Sequence, residues 1–78
     1  MKEELSIKII YEDFINKTIL TDDEKNILIR YIRNDSIIKI SNDTLQSERT
    51  VSRIIATLKQ KYNNYKKLEL AKLNLFKK

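Results

Sequence analysis

Arg49, Thr50, Ser52, Arg53, Ala56, Thr57, Lys59 and Lys61 are the residues whose types and spacing offer this chain a chemistry. They fall within residues 47–61, where Val51, Ile54, Ile55 and Leu58 recur at helical spacing. An amphipathic helix is expected there, with one face in a small core and the other, rich in Arg, Lys, Ser and Thr, turned to a polyanion. A helix about 10–12 Å across fits the major groove of B-DNA, where each base pair shows its own donor and acceptor pattern. With Val51, Ile55 and Leu58 facing inward, Arg49, Ser52, Arg53, Ala56 and Thr57 lie mainly on other faces. Arg53 is the strongest candidate to read a base, because a guanidinium bonds O6 and N7 of guanine together. The competing reading is an ordinary exposed arginine. Arg49, Thr50, Lys59 and Lys61 suit phosphates, which orient a protein on a duplex without reading sequence. Otherwise Arg49 and Lys61 are surface charges, and Thr50 and Ser47 are helix caps.

Other chemistries are short of parts. The chain has no Cys and no His, which excludes disulfides, Cys/His zinc sites, a thiol nucleophile and histidine acid–base catalysis. It has no Gly, hence no glycine-rich phosphate loop. Glu12 and Asp13 are neighbours in sequence, so on a helix they project about 100° apart, cannot converge on one substrate atom, and are expected to be solvated. No enzyme activity, cofactor or metal is expected. Tyr62 and Tyr65 either stack on unpaired bases or pack at a helix junction.

The elements that must position the basic helix follow from composition and periodicity. Seventy-eight residues make one domain with a small core. Gly and Pro are both absent, and short helix–helix connections manage without them better than tight strand turns do, so an all-α fold is expected. Residues 1–34 carry six basic and seven acidic side chains, whereas residues 35–78 carry ten basic and four acidic. Basic charge gathered in one half marks a binder of nucleic acid or of an acidic surface, or else a Lys-rich solvated face. Met1 to Glu4 lead into no long apolar run, so neither a signal peptide nor a membrane span is expected, and the chain reads as cytoplasmic.

Five helices are expected. Residues 3–17 show Ile7, Ile10, Tyr11, Phe14 and Ile15 on one face, widened by Leu5 and Ile9. Thr21-Asp22-Asp23-Glu24 reads as a capping box that opens a second helix through Ile27, Leu28, Tyr31 and Ile32, ended by Asn34-Asp35-Ser36. A short helix over 37–43, capped by Ser36, places Ile37, Ile38 and Ile40 on its apolar side. Thr44-Leu45-Gln46 then connects to the basic helix, capped by Ser47, giving a helix-turn-helix arrangement. That helix is expected to end near Tyr62 at the break Asn63-Asn64. A leucine-rich fifth helix follows over 65–75.

The run Leu20-Thr21-Asp22-Asp23-Glu24, Ile27-Leu28, Ile40, Ser47-Glu48-Arg49-Thr50-Val51 and Lys61 resembles the DNA-binding domain of LuxR/GerE-type transcription regulators, with sigma-factor region 4 as a near relative. The family opens on a Leu-Thr-x-x-Glu box and enters its recognition helix through Ser-x-x-Thr-Val. The resemblance covers residues 20–76 as a four-helix core, with residues 1–18 as an additional N-terminal helix and 48–61 as the recognition helix. It implies that Ser52, Arg53 and Ala56 reach base edges. It also implies a homodimer through the last helix at Leu68, Ala71 and Leu75; the alternative packs Leu70, Leu73 and Phe76 on the N-terminal helix. The chain departs from the family at Asn34-Asp35, where Gly is usual, at Lys39-Ile40-Ser41 for Glu-Ile-Ala, and at Ile54 for a common His. Thr44 and Gln46 stand at apolar turn positions, and Leu45 between them is expected to take over the core role. The function implied is a sequence-specific transcriptional regulator acting on double-stranded DNA. The rival is a helical interaction module that binds RNA polymerase, a sigma factor or another regulator.

Overall fold

The computed structural model describes the backbone of residues 2–76 and the side chains of residues 3–69. Within them the chain is all-helical: α1 (Lys2–Leu5), α2 (Lys8–Lys17), α3 (Asp22–Ile32), α4 (Ile37–Thr44) and α5 (Glu48–Phe76). None of these helices is long and apolar enough to cross a membrane. The expected five helices are thus matched in number, but the divisions fall elsewhere at both ends of the chain.

The expected helix over 3–17 is interrupted at Ser6 and Ile7. The Ser6 hydroxyl donates to the Glu3 carbonyl at 2.6 Å, and Ile7 takes an extended conformation before α2 begins. The cause lies in the core. Leu5 and Phe14 are nine residues apart, which on one continuous helix puts them on opposite sides. With the break both are buried, at 1% and 0% exposure. Ile7 and Ile9, expected on the buried face, are exposed instead, while Ile10, Tyr11 and Ile15 pack partly against the core.

The start of α3 is the capping box expected at Thr21. The Glu24 amide donates to Thr21 Oγ1 at 3.1 Å, and the Thr21 amide donates to Glu24 Oε1 at 3.0 Å. Its end is a Schellman motif built on Asn34 at φ 69°. There the Asn34 amide reaches the Tyr31 carbonyl at 3.0 Å and the Asp35 amide reaches the Arg30 carbonyl at 3.2 Å. Asn thereby fills the left-handed position where Gly would cost less. Ser36 caps α4 through the Lys39 amide at 3.1 Å. Only Ile40 of its three isoleucines is fully buried.

The connection of residues 45–47 hangs on Ser41. Its carbonyl accepts the Leu45 amide and also the Gln46 amide, the latter at 3.1 Å, while its hydroxyl donates to the Gln46 carbonyl at 2.5 Å. Leu45 does not take the core role. It sits in the left-handed conformation at φ 56°, ψ 36°, with its side chain 93% exposed, and Thr44 and Gln46 are half-buried on either side. The left-handed residue reverses the chain, and the side chain of that residue points out of the fold.

The largest departure is α5, which runs through Asn63 and Asn64 without a break. Asn costs a helix interior only about 0.7 kcal/mol relative to Ala, and tertiary contacts on both sides of the pair outweigh that. Val51, Ile55, Leu58, Tyr62 and Tyr65 follow one another in steps of four and three, so the inward face continues past the asparagines. Helix α5 packs on α2, α3 and α4. The core is Leu5, Phe14, Ile27, Leu28, Ile40, Val51, Ile55, Leu58 and Tyr62, to which each of the five helices contributes.

Candidate nucleic-acid interface

The entry to α5 is closed by Ser47, whose Oγ accepts the Thr50 amide at 3.1 Å and donates to Thr50 Oγ1 at 2.9 Å. Ser47 is therefore the cap, and the half-buried Thr50 hydroxyl is held against it. Burial of Val51, Ile55 and Leu58 leaves Arg49, Ser52, Arg53, Ala56 and Gln60 exposed on the far side of the helix. Neither Arg49 nor Arg53 has a hydrogen-bond or ion-pair partner among the described residues. Thr57 is exposed, but its hydroxyl donates back to the Arg53 carbonyl at 3.1 Å, so it faces its own helix. The Lys59 ammonium lies 6.0 Å from the centre of the Tyr31 ring.

Lys61 is not free to meet a phosphate. Its Nζ donates to both Glu24 oxygens at 3.0 and 2.8 Å and to the Ile19 carbonyl at 3.1 Å. Burial pushes the Glu24 carboxyl up, and the bonds from Lys61 and Thr21 outweigh it, so the carboxyl is held below its ordinary value. A charged carboxylate buried beside a core needs such partners. The pair ties the start of α3 to the middle of α5 and so sets how α5 lies across the fold. The expected place of Lys61 on the binding face misses this bond, because the partner is 37 residues away.

Tyr62 and Tyr65 are packing residues. Both rings meet Phe14 edge-on with centroids at 5.4 Å, and Tyr62 is buried. The Tyr62 hydroxyl donates to Glu4, and the Tyr65 hydroxyl donates to Asp13 at 2.5 Å. Burial, then the Glu4 carboxylate, pushes the Tyr62 phenol well above its ordinary range. Burial, then Asp13, pushes that of Tyr65 up to about 12. The Tyr62 bond, followed by partial burial in the other direction and then Lys66, leaves Glu4 below its ordinary value. Asp13, expected to be solvated, is engaged by Tyr65 and by Lys17 at 3.1 Å, and Lys17 also reaches Glu69 at 3.0 Å. These contacts fasten α2 to α5 on both sides of the asparagine pair.

The resulting surface is one of donors. From Arg49 to Leu68 the chain has six Lys or Arg and no Asp or Glu. Two guanidiniums and a serine hydroxyl stand on a helix whose opposite side is locked into the core, and Ala56 leaves room between them for a close approach. Gln60 extends this face and was not singled out from the sequence, although its position four residues after Ala56 carries the signal. Of the residues proposed for pairing with a second copy, Leu68 is 65% exposed, while the side chains of Ala71 and Leu75 lie outside the described residues. No protein-family model matches the chain, and neither does any curated protein or solved structure.

Proposed function

We propose that this chain is a small sequence-specific DNA-binding transcriptional regulator of the cytoplasm that inserts the first half of α5 into the major groove of a duplex. The observation that carries the reading is the pair Arg49 and Arg53. They are exposed on an acid-free stretch of helix whose inward face is fully committed to the core. Arg53 reads guanine, Ser52 and Ala56 lie beside it at base edges, and Arg49, Thr50 and Lys59 orient the helix on phosphates. The likeness to LuxR/GerE-type domains supports this reading through the Leu20-Thr21-x-x-Glu24 box and the Ser47-x-x-Thr50-Val51 entry, both of which act as helix caps. A homodimer formed through Leu68, Ala71 and Leu75 would bring two copies of α5 to two half-sites about one helical turn apart.

A second reading has its own observation. Ile19 and Leu68 are 92% and 65% exposed and line an open groove of about 600 Å³ with Lys17, Thr18, Asn64 and Tyr65. Exposed apolar side chains along a groove suit a protein partner such as RNA polymerase or a sigma factor. Fluorescence anisotropy on a random duplex at low and high salt separates the two. Binding at low salt that weakens steeply with added salt is the expected result. Absence of binding at low salt would leave the interaction module as the function.

A further inference from the structure

Because α5 does not break at Asn63-Asn64, the exposed face that begins at Arg49 continues past the end of the expected recognition helix. Arg49, Arg53, Ala56, Gln60, Asn63 and Lys67 follow one another in steps of four and three, and all six are exposed. Such steps keep to one side of an α-helix. The buried series from Val51 to Tyr65 has the same steps displaced by two residues, about 200° round the helix, so the two stripes run back to back. From Arg49 to Lys67 the exposed stripe is about 27 Å long at 1.5 Å per residue.

The fold sorts the cations of this segment. Lys61 is bonded to Glu24, Lys66 lies 3.4 Å from Glu4, and Lys59 stands over Tyr31. All three lie off the stripe. Arg49, Arg53 and Lys67 lie on it, and none has a partner among the described residues. Carboxylates thus pair with Lys61 and Lys66 on the flanks and leave the spine of the helix charged. A protein partner would be met by isolated cations spaced over five turns. Duplex DNA carries a phosphate about every 3.4 Å of each strand, so cations about 6 and 21 Å apart on the helix each find one within reach.

We infer that the whole stripe is one duplex-DNA contact surface in which Asn63 and Lys67 hold the sugar–phosphate backbone beside the groove that Arg49 and Arg53 enter. A helix follows the curving major groove for only a few turns, so the far end of a 27 Å stripe (about five turns) comes out over phosphates rather than bases. Lys67 supplies a charge and Asn63 a side-chain amide for that contact. This inference rests on the DNA-binding reading above.

The test is a salt series of anisotropy titrations between about 50 and 200 mM, with the full chain, a random duplex and polyglutamate as competitor. Wild type is compared with Lys67→Ala and with a control off the stripe, Lys25→Ala. One lost phosphate contact lowers the slope of log affinity against log salt by about 0.9. Over a fourfold rise in salt, Lys67→Ala should therefore lose about 3.5-fold less affinity than wild type. Lys25→Ala should keep the wild-type slope. Equal slopes for Lys67→Ala and wild type, with wild type binding the duplex, overturn the extended contact and leave the DNA-binding reading standing. Displacement by polyglutamate as effective as by duplex overturns it as well. A wild type that binds no duplex at the lowest salt overturns both.

Discussion

Leu45→Gly should stabilise this protein, although it removes a large apolar side chain next to the core. Leu45 holds φ 56°, ψ 36°, and its side chain is 93% exposed. A left-handed conformation costs an L-residue roughly 1–2 kcal/mol, a cost that Gly does not carry. Against this, Gly loses more freedom on folding, a penalty of about 0.5–1 kcal/mol. The exposed side chain has almost no burial to lose. The balance is a gain of about 0.5–1 kcal/mol, which in a domain of this size raises the melting temperature by about 2–8 °C. Thermal and urea unfolding followed by circular dichroism measure it, and the urea slope should stay constant, because the surface exposed on unfolding hardly changes. Leu45→Ala is the control: it keeps the backbone cost and should stay within about 0.5 kcal/mol of wild type. A loss of more than about 1 kcal/mol in either variant would refute the reasoning, since that is the signature of a side chain packed in a core.

Lys61→Ala should cost about 1–3 kcal/mol in urea unfolding, because it strips a buried carboxylate of its cation; a neutral result would mean that Glu24 finds water instead. Glu24 and Glu4 both have lowered folded pKa values, so their contribution is complete above the unfolded carboxylate value near 4.3. It should be lost as pH falls through the lower folded values, seen as a falling urea midpoint, and Glu24→Gln should flatten that fall. Tyr62 and Tyr65 have raised folded values, so their contribution is complete below the unfolded phenol value near 10 and is lost as pH rises beyond it. Phenolate absorbance should therefore appear together with loss of helix; phenolate signal from these two tyrosines with the fold intact would contradict it. Arg53→Ala should weaken binding to a selected duplex by about 1–3 kcal/mol more than to bulk DNA. Equal losses on the two would remove its base-reading role.

What could be read from the residues alone was the chemistry of the helix ends. The Thr21–Glu24 box, the Ser36 and Ser47 caps and the Asn34 turn each join partners within a few residues, so the sequence holds both sides of every bond. The inward spacing of Val51, Ile55 and Leu58 was legible for the same reason, and with it the exposure of Arg49 and Arg53. Two local features pointed the other way. The asparagine pair looked like a stop, and Leu45 looked like core, because each was judged on its own type.

Composition and local pattern by themselves determined an all-helical chain, its caps and its one basic helix, since these depend on short-range geometry and on charge counts. Only the tertiary structure decided where the helices break and which cations stay available. Leu5 and Phe14 enter one core only if the first helix is interrupted. The contacts of Tyr62 with Glu4 and Tyr65 with Asp13, across 58 and 52 residues, accompany a last helix that runs on through its asparagines. Lys61 and Lys67 are the same residue type on the same helix. Spacing sets Lys67 opposite the buried series and Lys61 beside it, but spacing does not reveal that Lys61 has a carboxylate partner. Lys61 meets Glu24 because α3 packs beside it, whereas Lys67 faces solvent on the far side, and that difference in position separates a structural lysine from one left to bind.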